Sequence, residues 1–372
     1  MKFMCDKESF AKKVFNANDF KNTKSSISIT TNVFLKTTQD LLIIKATDNN
    51  MGYISSIPVI TIEEGETTVS CTKLGDILKA FTGINNIILE TNSDNLNIYP
   101  KGSEKHFNFE LKTIDSKEFP TMESADKKEF FKINSLDFLD MIKHTQFAAS
   151  KDESRHYLCG QFLQKIEGGI AMVATDGKRL SFIKKRCDEL VPNFPSVTIP
   201  TKFIIILSKI LEDTGEMELY LEKNLISIRL ADETFLYSSL IEVGFPVYNR
   251  IIPQDTKFKC ILNLRDTIDA INRVKLFVLD KSNRIFLNIL PNKLILTSDI
   301  TEQGQALEEI DCEYNGEEIN IAVNYNFFLD PLKPMDIEYF SINFDGPNKT
   351  LKLLPESHEK SYLHIVMPIQ PK

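Results

Sequence analysis

The residues best suited to chemistry stand in one charged stretch, residues 174–180, which reads Ala-Thr-Asp-Gly-Lys-Arg-Leu. A carboxylate, an amine and a guanidinium side by side could bind phosphate or transfer protons. The stretch separates two apolar runs, 170–173 and 180–183, and Gly adopts positive φ without steric cost. The Asp-Gly pair therefore predicts a tight turn between two strands. Gly177-Lys178 also resembles the end of a phosphate-binding loop, but that loop needs Gly and Ser or Thr where this chain has Met172 and Arg179.

The sequence leaves three interpretations of this turn open. In the first, Asp176, Lys178 and Arg179 line the cleft of an enzyme that acts on a phosphorylated substrate. In the second, Asp176 is a turn-former whose carboxylate accepts hydrogen bonds from local backbone N–H groups, and the residues after it form a recognition surface. In the third, the turn is simply solvated.

The remaining reactive residues predict neither a metal site nor a cofactor. The five histidines have no metal-ligand spacing and stand in no nucleophile motif, and the six cysteines include no C-x-x-C pair. Scattered single thiols are typical of a reducing cytoplasm. Residues 1–10 lack the apolar segment of a signal peptide, and the apolar run 203–207 is too short to span a bilayer.

Length and charge limit the possible classes of protein. A chain of 372 residues exceeds what one hydrophobic core usually supports, so two or three domains are expected. The formal net charge of -8 argues against a protein that coats nucleic acid by electrostatics alone. It still allows a basic face within an acidic whole.

One pattern recurs three times along the chain. Thr175-Asp176 follows an apolar run, as do Thr47-Asp48 and Ser298-Asp299, and these aspartates are 128 and 123 residues apart, close to a third of the chain. Recurrence indicates that this dipeptide belongs to the fold. We expect three α+β domains with antiparallel sheets and two helices each, at residues 1–126, 127–253 and 254–372.

Two amphipathic helices are predicted in each third. The earlier helices span about 9–15, 136–144 and 264–275, and the later ones begin near Thr72, Thr201 and Asn324. The last is the weakest, because Pro331 and Pro334 shorten it. Basic residues follow the non-apolar faces of these helices, namely Lys12, Lys13, Lys73, Lys79, Lys143, Lys202, Lys209, Arg265, Arg273 and Lys275. These charges are either ordinary solvated faces or a surface that contacts phosphates without reading bases.

Several short motifs, in this order and spacing, resemble the bacterial DNA polymerase III β subunit, the sliding clamp. They are the stretch 174–180, Arg-His-Tyr-Leu-Cys-Gly at 155–160, Phe-Pro-x-Tyr-x-Arg at 245–250 and Val-Met-Pro-Ile at 366–369. The resemblance covers the whole chain. It implies a head-to-tail homodimer whose six domains close a ring with helices inside and sheets outside, and a processivity factor that is not an enzyme. Retention by ring closure would explain how an acidic protein stays on DNA.

The resemblance also implies the partners. These are double-stranded DNA held without sequence specificity, a second copy of the chain, the replicative polymerase, the clamp loader, repair polymerases and mismatch-repair proteins, with no membrane and no cofactor. The expected location is the bacterial cytoplasm, at the nucleoid.

A pocket for linear peptide motifs is implied between the second and third domains. The residues that match it are Arg155, Leu158, Thr175, Gly177, Lys178, Arg179, Leu180, Pro246, Arg250, Ile251, Asn324, Phe327, Val366, Met367, Pro368 and Ile369. Lys178 and Phe327 depart from the His and Tyr that are frequent in the family.

Two further sets of residues are implied by the resemblance. The DNA-facing set is Lys12, Lys13, Lys24, Lys73, Lys79, Lys202, Lys209, Arg265 and Arg273. The dimer interface would place Phe109 and Leu111 on one side and Leu276 and Phe277 on the other.

Overall fold

The computed structural model of the chain describes residues 1–22, 29–102, 108–124, 129–186, 191–211, 215–278, 283–357 and 361–370. The chain folds into two compact units. One consists of residues 1–136 and 209–240, and the other of residues 137–208 and 241–372.

The helices and strands follow the threefold pattern. The first third contains β1 (Lys2–Asp6), α1 (Lys7–Asn18), β2 (Asn32–Thr38), β3 (Leu41–Thr47), β4 (Met51–Pro58), β5 (Ile60–Glu63), β6 (Gly65–Ser70), α2 (Cys71–Ala80), β7 (Asn86–Asn92), β8 (Asn95–Pro100) and β9 (Phe109–Ile114). The second contains β10 (Phe131–Asn134), α3 (Ser135–Thr145), β11 (Gly160–Ile166), β12 (Gly169–Thr175), β13 (Arg179–Arg186), β14 (Val197–Pro200), α4 (Thr201–Ile210), β15 (Glu216–Leu221), β16 (Leu225–Leu230) and β17 (Phe235–Ser239). The last contains β18 (Phe258–Asn263), α5 (Leu264–Val274), β19 (Arg284–Leu290), β20 (Lys293–Ser298), β21 (Leu307–Glu313), β22 (Ile319–Asn324), α6 (Tyr325–Leu329), β23 (Tyr339–Phe344), β24 (Leu351–Pro355) and β25 (Tyr362–Val366).

Each unit is built on one antiparallel sheet. In the first unit, thirteen strands run in the order β10-β15-β16-β17-β4-β3-β2-β6-β9-β8-β7-β1-β5. In the second, twelve strands run in the order β14-β11-β12-β13-β25-β24-β23-β18-β21-β20-β19-β22. The middle third of the chain therefore contributes strands to both sheets.

The predicted helices are confirmed, and their starts have clear physical causes. Asp6 caps α1 by accepting from the Ser9 N–H (2.8 Å), and Asn263 caps α5 by accepting from the Asp266 N–H (3.1 Å). α1 packs against α2 and onto β3 and β4, so its apolar face joins the core. α6 is five residues long and ends before Pro331, as the prolines predicted.

The predicted domain boundaries stay a prediction. The boundary at 126 falls outside the described residues, and the one at 253 lies in a segment without helix or strand. Within the described ranges, no helix combines the length and the apolar character needed to cross a membrane.

Candidate functional site

The turn between β12 and β13 is built by its own threonine and aspartate. Asp176 Oδ1 accepts from the backbone N–H groups of Lys178 (2.8 Å) and Arg179 (3.0 Å), and the Thr175 hydroxyl donates to the Arg179 carbonyl (2.6 Å). Gly177 has a φ of +86°. The tight turn is confirmed, and so is the interpretation of Asp176 as its former.

The first repeat uses the same bonds. Asp48 Oδ1 accepts from the N–H groups of Asn50 (3.0 Å) and Met51 (2.9 Å), and the Thr47 hydroxyl donates to the Met51 carbonyl (2.7 Å). The third repeat differs, because the Asp299 carboxylate instead accepts from the Arg284 guanidinium at 2.7 and 3.1 Å.

The Arg179 side chain is held from several directions and is only 9% exposed. Its guanidinium donates to Asp176 Oδ2 (3.2 Å), to Asp330 Oδ2 (3.0 Å) and to the Phe147 carbonyl. The Phe327 ring lies 4.5 Å from the guanidinium carbon, which is a cation–π distance. Arg179 therefore joins the turn to the end of α6, whereas Lys178 beside it is exposed.

A buried imidazole lies close to this arginine. The His364 ring on β25 is 5.6 Å from the Phe147 ring and has no exposed surface. Burial, together with the charge of Arg179, lowers the pKa of His364 to about 3, although the Phe327 carbonyl opposes the shift. The imidazole is thus neutral at physiological pH.

The end of the chain runs alongside the turn. β25 pairs with β13, with Val366 opposite Arg179, and the Met367 N–H then donates to the Lys178 carbonyl (2.9 Å). The Ile369 N–H donates to the Ala322 carbonyl on β22 (2.7 Å). Val366 is buried, Met367 is 41% exposed, and Pro368 and Ile369 are half-buried.

Arg155 and Leu158 belong to a short 3-10 helix, Glu153–Leu158, beside the turn. Arg155 donates to the Asp176 carbonyl (2.8 Å) and to Asp152 Oδ2 (3.1 Å). Leu158 is 5% exposed. Arg155 is therefore tied to the turn, and Leu158 is buried.

The segment 245–251 packs aromatic rings against β11 and β13. Phe245 stacks on Phe162 with ring centroids 4.8 Å apart, and Tyr248 packs into a buried cluster with Leu180. Pro246, Arg250 and Ile251 remain exposed.

The residues expected to form the peptide pocket thus divide into a buried base and an exposed layer. Leu158, Leu180 and Val366 lie beneath the surface, whereas Ile251 and Met367 are open to solvent. Asn324 caps α6 by accepting from the Asn326 N–H (2.9 Å), which places Phe327 against Arg179. Sequence reasoning missed Phe147 and Asp330, because nothing local in the sequence marks contacts across such long separations.

Most of the cations predicted to face DNA are exposed, and some of them form ion pairs. Lys12, Lys73, Lys79, Lys202 and Arg265 are exposed on α1, α2, α4 and α5. Lys13, Lys209 and Arg273 form ion pairs with Asp232 (2.5 Å), Asp19 (3.0 Å) and Glu308 (2.7 Å). Lys24 lies outside the described residues.

The predicted interface residues differ in exposure. Leu276 is 73% and Phe277 37% exposed, directly after α5, whereas Phe109 and Leu111 on β9 are half-buried. β9 is not the last strand of its sheet; among the described strands, residues 109–112 pair with β8, and β6 pairs with residues 113 and 114.

Comparison with known protein families gives a match in each third of the chain. Family models for the N-terminal, central and C-terminal domains of the DNA polymerase III beta subunit match residues 1–123, 132–247 and 249–370. The chain belongs to the DNA polymerase III β-subunit family. Members of this family are non-enzymatic processivity factors, so the alternative of a phosphate-substrate enzyme around Asp176 is not supported.

The chain is similar to individual β subunits over its full length. The chain is 34% identical over 374 residues to the beta sliding clamp of Treponema pallidum, covering 100% of both chains. It shares the fold of the beta sliding clamp of C. crescentus, solved with PEG bound to a putative beta-motif tethering region (TM-score 0.92, 24% identity, 100% and 99% coverage). It also shares the fold of the sliding clamp of Bartonella birtlesii bound to griselimycin (TM-score 0.93, 24% identity, 100% coverage of both chains).

Proposed function

We propose that two copies of this chain join head to tail into a ring that encircles duplex DNA, and that the surface around Met367 tethers the replicative polymerase and its accessory proteins. The ring works as a processivity factor. It needs no catalytic residue, because retention depends on closure.

The observation that carries this proposal is a strand junction that occurs twice within the chain. β17 of the second third pairs with β4 of the first, and β25 of the last third pairs with β13 of the second. In both, the last strand of one third lies antiparallel to the fourth strand of the preceding third. The corresponding strands of a third junction are β9 and β21.

Strand register identifies which residues correspond. Ala46 pairs with Tyr53, Ala174 with Ser181 and Thr297 with Leu307 at the same point after each recurring hairpin. Leu307 is therefore the counterpart of Tyr53 and Ser181, whose junction partners are Leu236 and His364.

The same comparison of register supports Phe109 as the residue on the other strand. Asn95 pairs with Lys112 just after one hairpin, as Leu225 pairs with Ser239 after another, so Phe109 corresponds to Leu236. Phe109 of one copy would then lie opposite Leu307 of the other.

Both strands have a stretch whose described strand pairing lies on one side. Residues 109–112 pair only with β8, and residues 307–311 pair only with β20 among the described strands. Leu307 is 60% exposed and the nearby Leu276 is 73% exposed. An exposed apolar edge strand can pair with a strand of another chain. Junctions between two copies would cover both edges.

Contact with DNA would use the exposed lysines and arginine on α1, α2, α4 and α5. Phosphate contacts from flexible cations carry no sequence information, which suits a ring that must slide. We place the protein in the cytoplasm, at the nucleoid.

The tethering surface would bind a linear peptide over the exposed Ile251 and Met367, with Leu158, Leu180 and Val366 as its buried base. Methionine adapts to ligands of different shape, which suits a site shared by polymerases, the clamp loader and mismatch-repair proteins. Griselimycin is a suitable probe, because a relative with this fold was solved bound to it.

The test of the clamp function is retention on DNA of different topology. The chain is loaded onto nicked circular DNA by a clamp loader with ATP, and bound protein is separated by gel filtration before and after a restriction enzyme linearises the circle. The proposal predicts stable binding to the circle and prompt loss from the linear form. Equal dissociation from both forms would contradict it.

A further inference from the structure

The ion pair between Arg179 and Asp330 links two distant parts of the chain. The two residues are 151 positions apart, and the Arg179 guanidinium lies 3.0 Å from Asp330 Oδ2. Asp330 directly follows α6 and its side chain is 22% exposed. Its other oxygen, Oδ1, accepts from the Lys333 ammonium at 2.9 Å.

Phe327, which lies on α6, contacts the same Arg179 guanidinium. It stands three residues before Asp330, so both side chains project from one face of the α6 turn. The Phe327 ring packs on the guanidinium carbon at 4.5 Å while the carboxylate holds its edge. In addition to its bonds to Asp176 and the Phe147 carbonyl, the arginine is therefore held by a ring and a carboxylate from the same end of α6.

We propose that Asp330 is a positioning residue for the peptide-binding site. It fixes the Arg179 guanidinium and, through it, the Phe327 ring, so that this side of the site is formed before a ligand arrives. Asp330 itself does not touch the ligand. The proposal rests on the proposed tethering function and names a residue outside the set that sequence resemblance supplied.

The physical reason is the cost of ordering. Without the Asp330 carboxylate, the nearly buried guanidinium keeps only Asp176 as a charged partner, and the Phe327 ring packs on a less constrained group. A ligand would then have to order both groups as it binds, and affinity falls by the free energy of that ordering.

The experiment measures griselimycin affinity by calorimetry for the full chain. Asp330→Asn keeps the shape and removes the charge, and we expect about tenfold weaker binding, equivalent to about 1.4 kcal/mol. The matched control is Lys333→Met, which removes the ion pair on the other oxygen of the same carboxylate and should leave the affinity within about twofold.

A double-mutant cycle separates positioning from general destabilisation. If Asp330 acts through the ring, Asp330→Asn should change affinity less than about twofold once Phe327→Ala is present. An equal, additive loss in both backgrounds overturns the proposal, as does unchanged affinity in Asp330→Asn alone. If Asp330→Asn does not fold, Arg179→Lys is measured in its place. This variant keeps the positive charge but loses the planar group that stacks on Phe327, so griselimycin binding should weaken by the same amount. Unchanged affinity in Arg179→Lys also overturns the proposal.

Met367→Ala distinguishes an error about Asp330 from an error about the binding site itself. This variant should weaken griselimycin binding and leave the dimer intact. If Met367→Ala weakens griselimycin binding and Asp330→Asn does not, only the positioning role of Asp330 is wrong. If the unaltered chain fails to bind griselimycin, or Met367→Ala binds it unchanged, the proposed site and the role of Asp330 both fall.

Discussion

Replacing Leu307 with alanine should open the ring without unfolding the chain. Burying a leucine side chain contributes about 1.5–3 kcal/mol. Because 60% of Leu307 is exposed in a single copy, each junction would gain about 1–2 kcal/mol from covering it. A closed pair contains the junction twice, so Leu307→Ala should cost the dimer about 2–4 kcal/mol, which raises its Kd about 30- to 900-fold.

Sedimentation velocity across a range of concentrations measures this change directly. The control is Ile60→Ala on β5, because Ile60 is similarly exposed at 57% and lies on no proposed junction. It should leave the Kd of the dimer unchanged, and both variants should keep the melting temperature of the separated copies. An unaltered Kd for Leu307→Ala, or equal weakening by Ile60→Ala, would refute the junction.

Two further predictions concern buried groups near the site. Burial, followed by the charge of Arg179, sets the pKa of His364 at about 3, below its ordinary 6.5, so the unfolded chain takes up this proton first as pH falls. Stability should therefore decrease below pH 6.5, by about 2 kcal/mol at pH 5, and urea titrations at pH 7 and pH 5 should show this loss in the unaltered chain but not in His364→Leu. Asp176→Ala removes the acceptor of two backbone N–H groups and should lower the free energy of unfolding by about 1–3 kcal/mol; a variant that melts like the unaltered chain would show that the turn forms without its carboxylate.

Local features of the fold were predictable from the sequence because their causes are local. The turn at Asp176-Gly177 follows from one backbone preference, and α5 follows from the amphipathic pattern of residues 264–275. The short α6 follows from Pro331. Each of these signals acts within a few residues and can be recognised without knowing which distant segment packs against it.

The pairing of distant segments was not predictable in this way. Nothing near Lys13 indicates that it pairs with Asp232, and nothing near Arg179 indicates Asp330, because such contacts depend on how whole sheets assemble. The division of the middle third between two sheets has the same cause. The peptide-site residues came from resemblance rather than from physical signals, and the burial of Leu180 and Val366 emerged only from the structure.

A ring closed by covalent bonds offers the most direct test of the account. Residues that lie directly opposite on paired antiparallel strands come close enough for a disulfide, so Phe109→Cys combined with Leu307→Cys should link two copies at both junctions under mild oxidation. Once loaded on a nicked plasmid and then oxidised, this ring should remain bound through high salt and leave when the plasmid is cut. Loss from the uncut plasmid, or retention on the cut one, would contradict a clamp that holds DNA by encircling it.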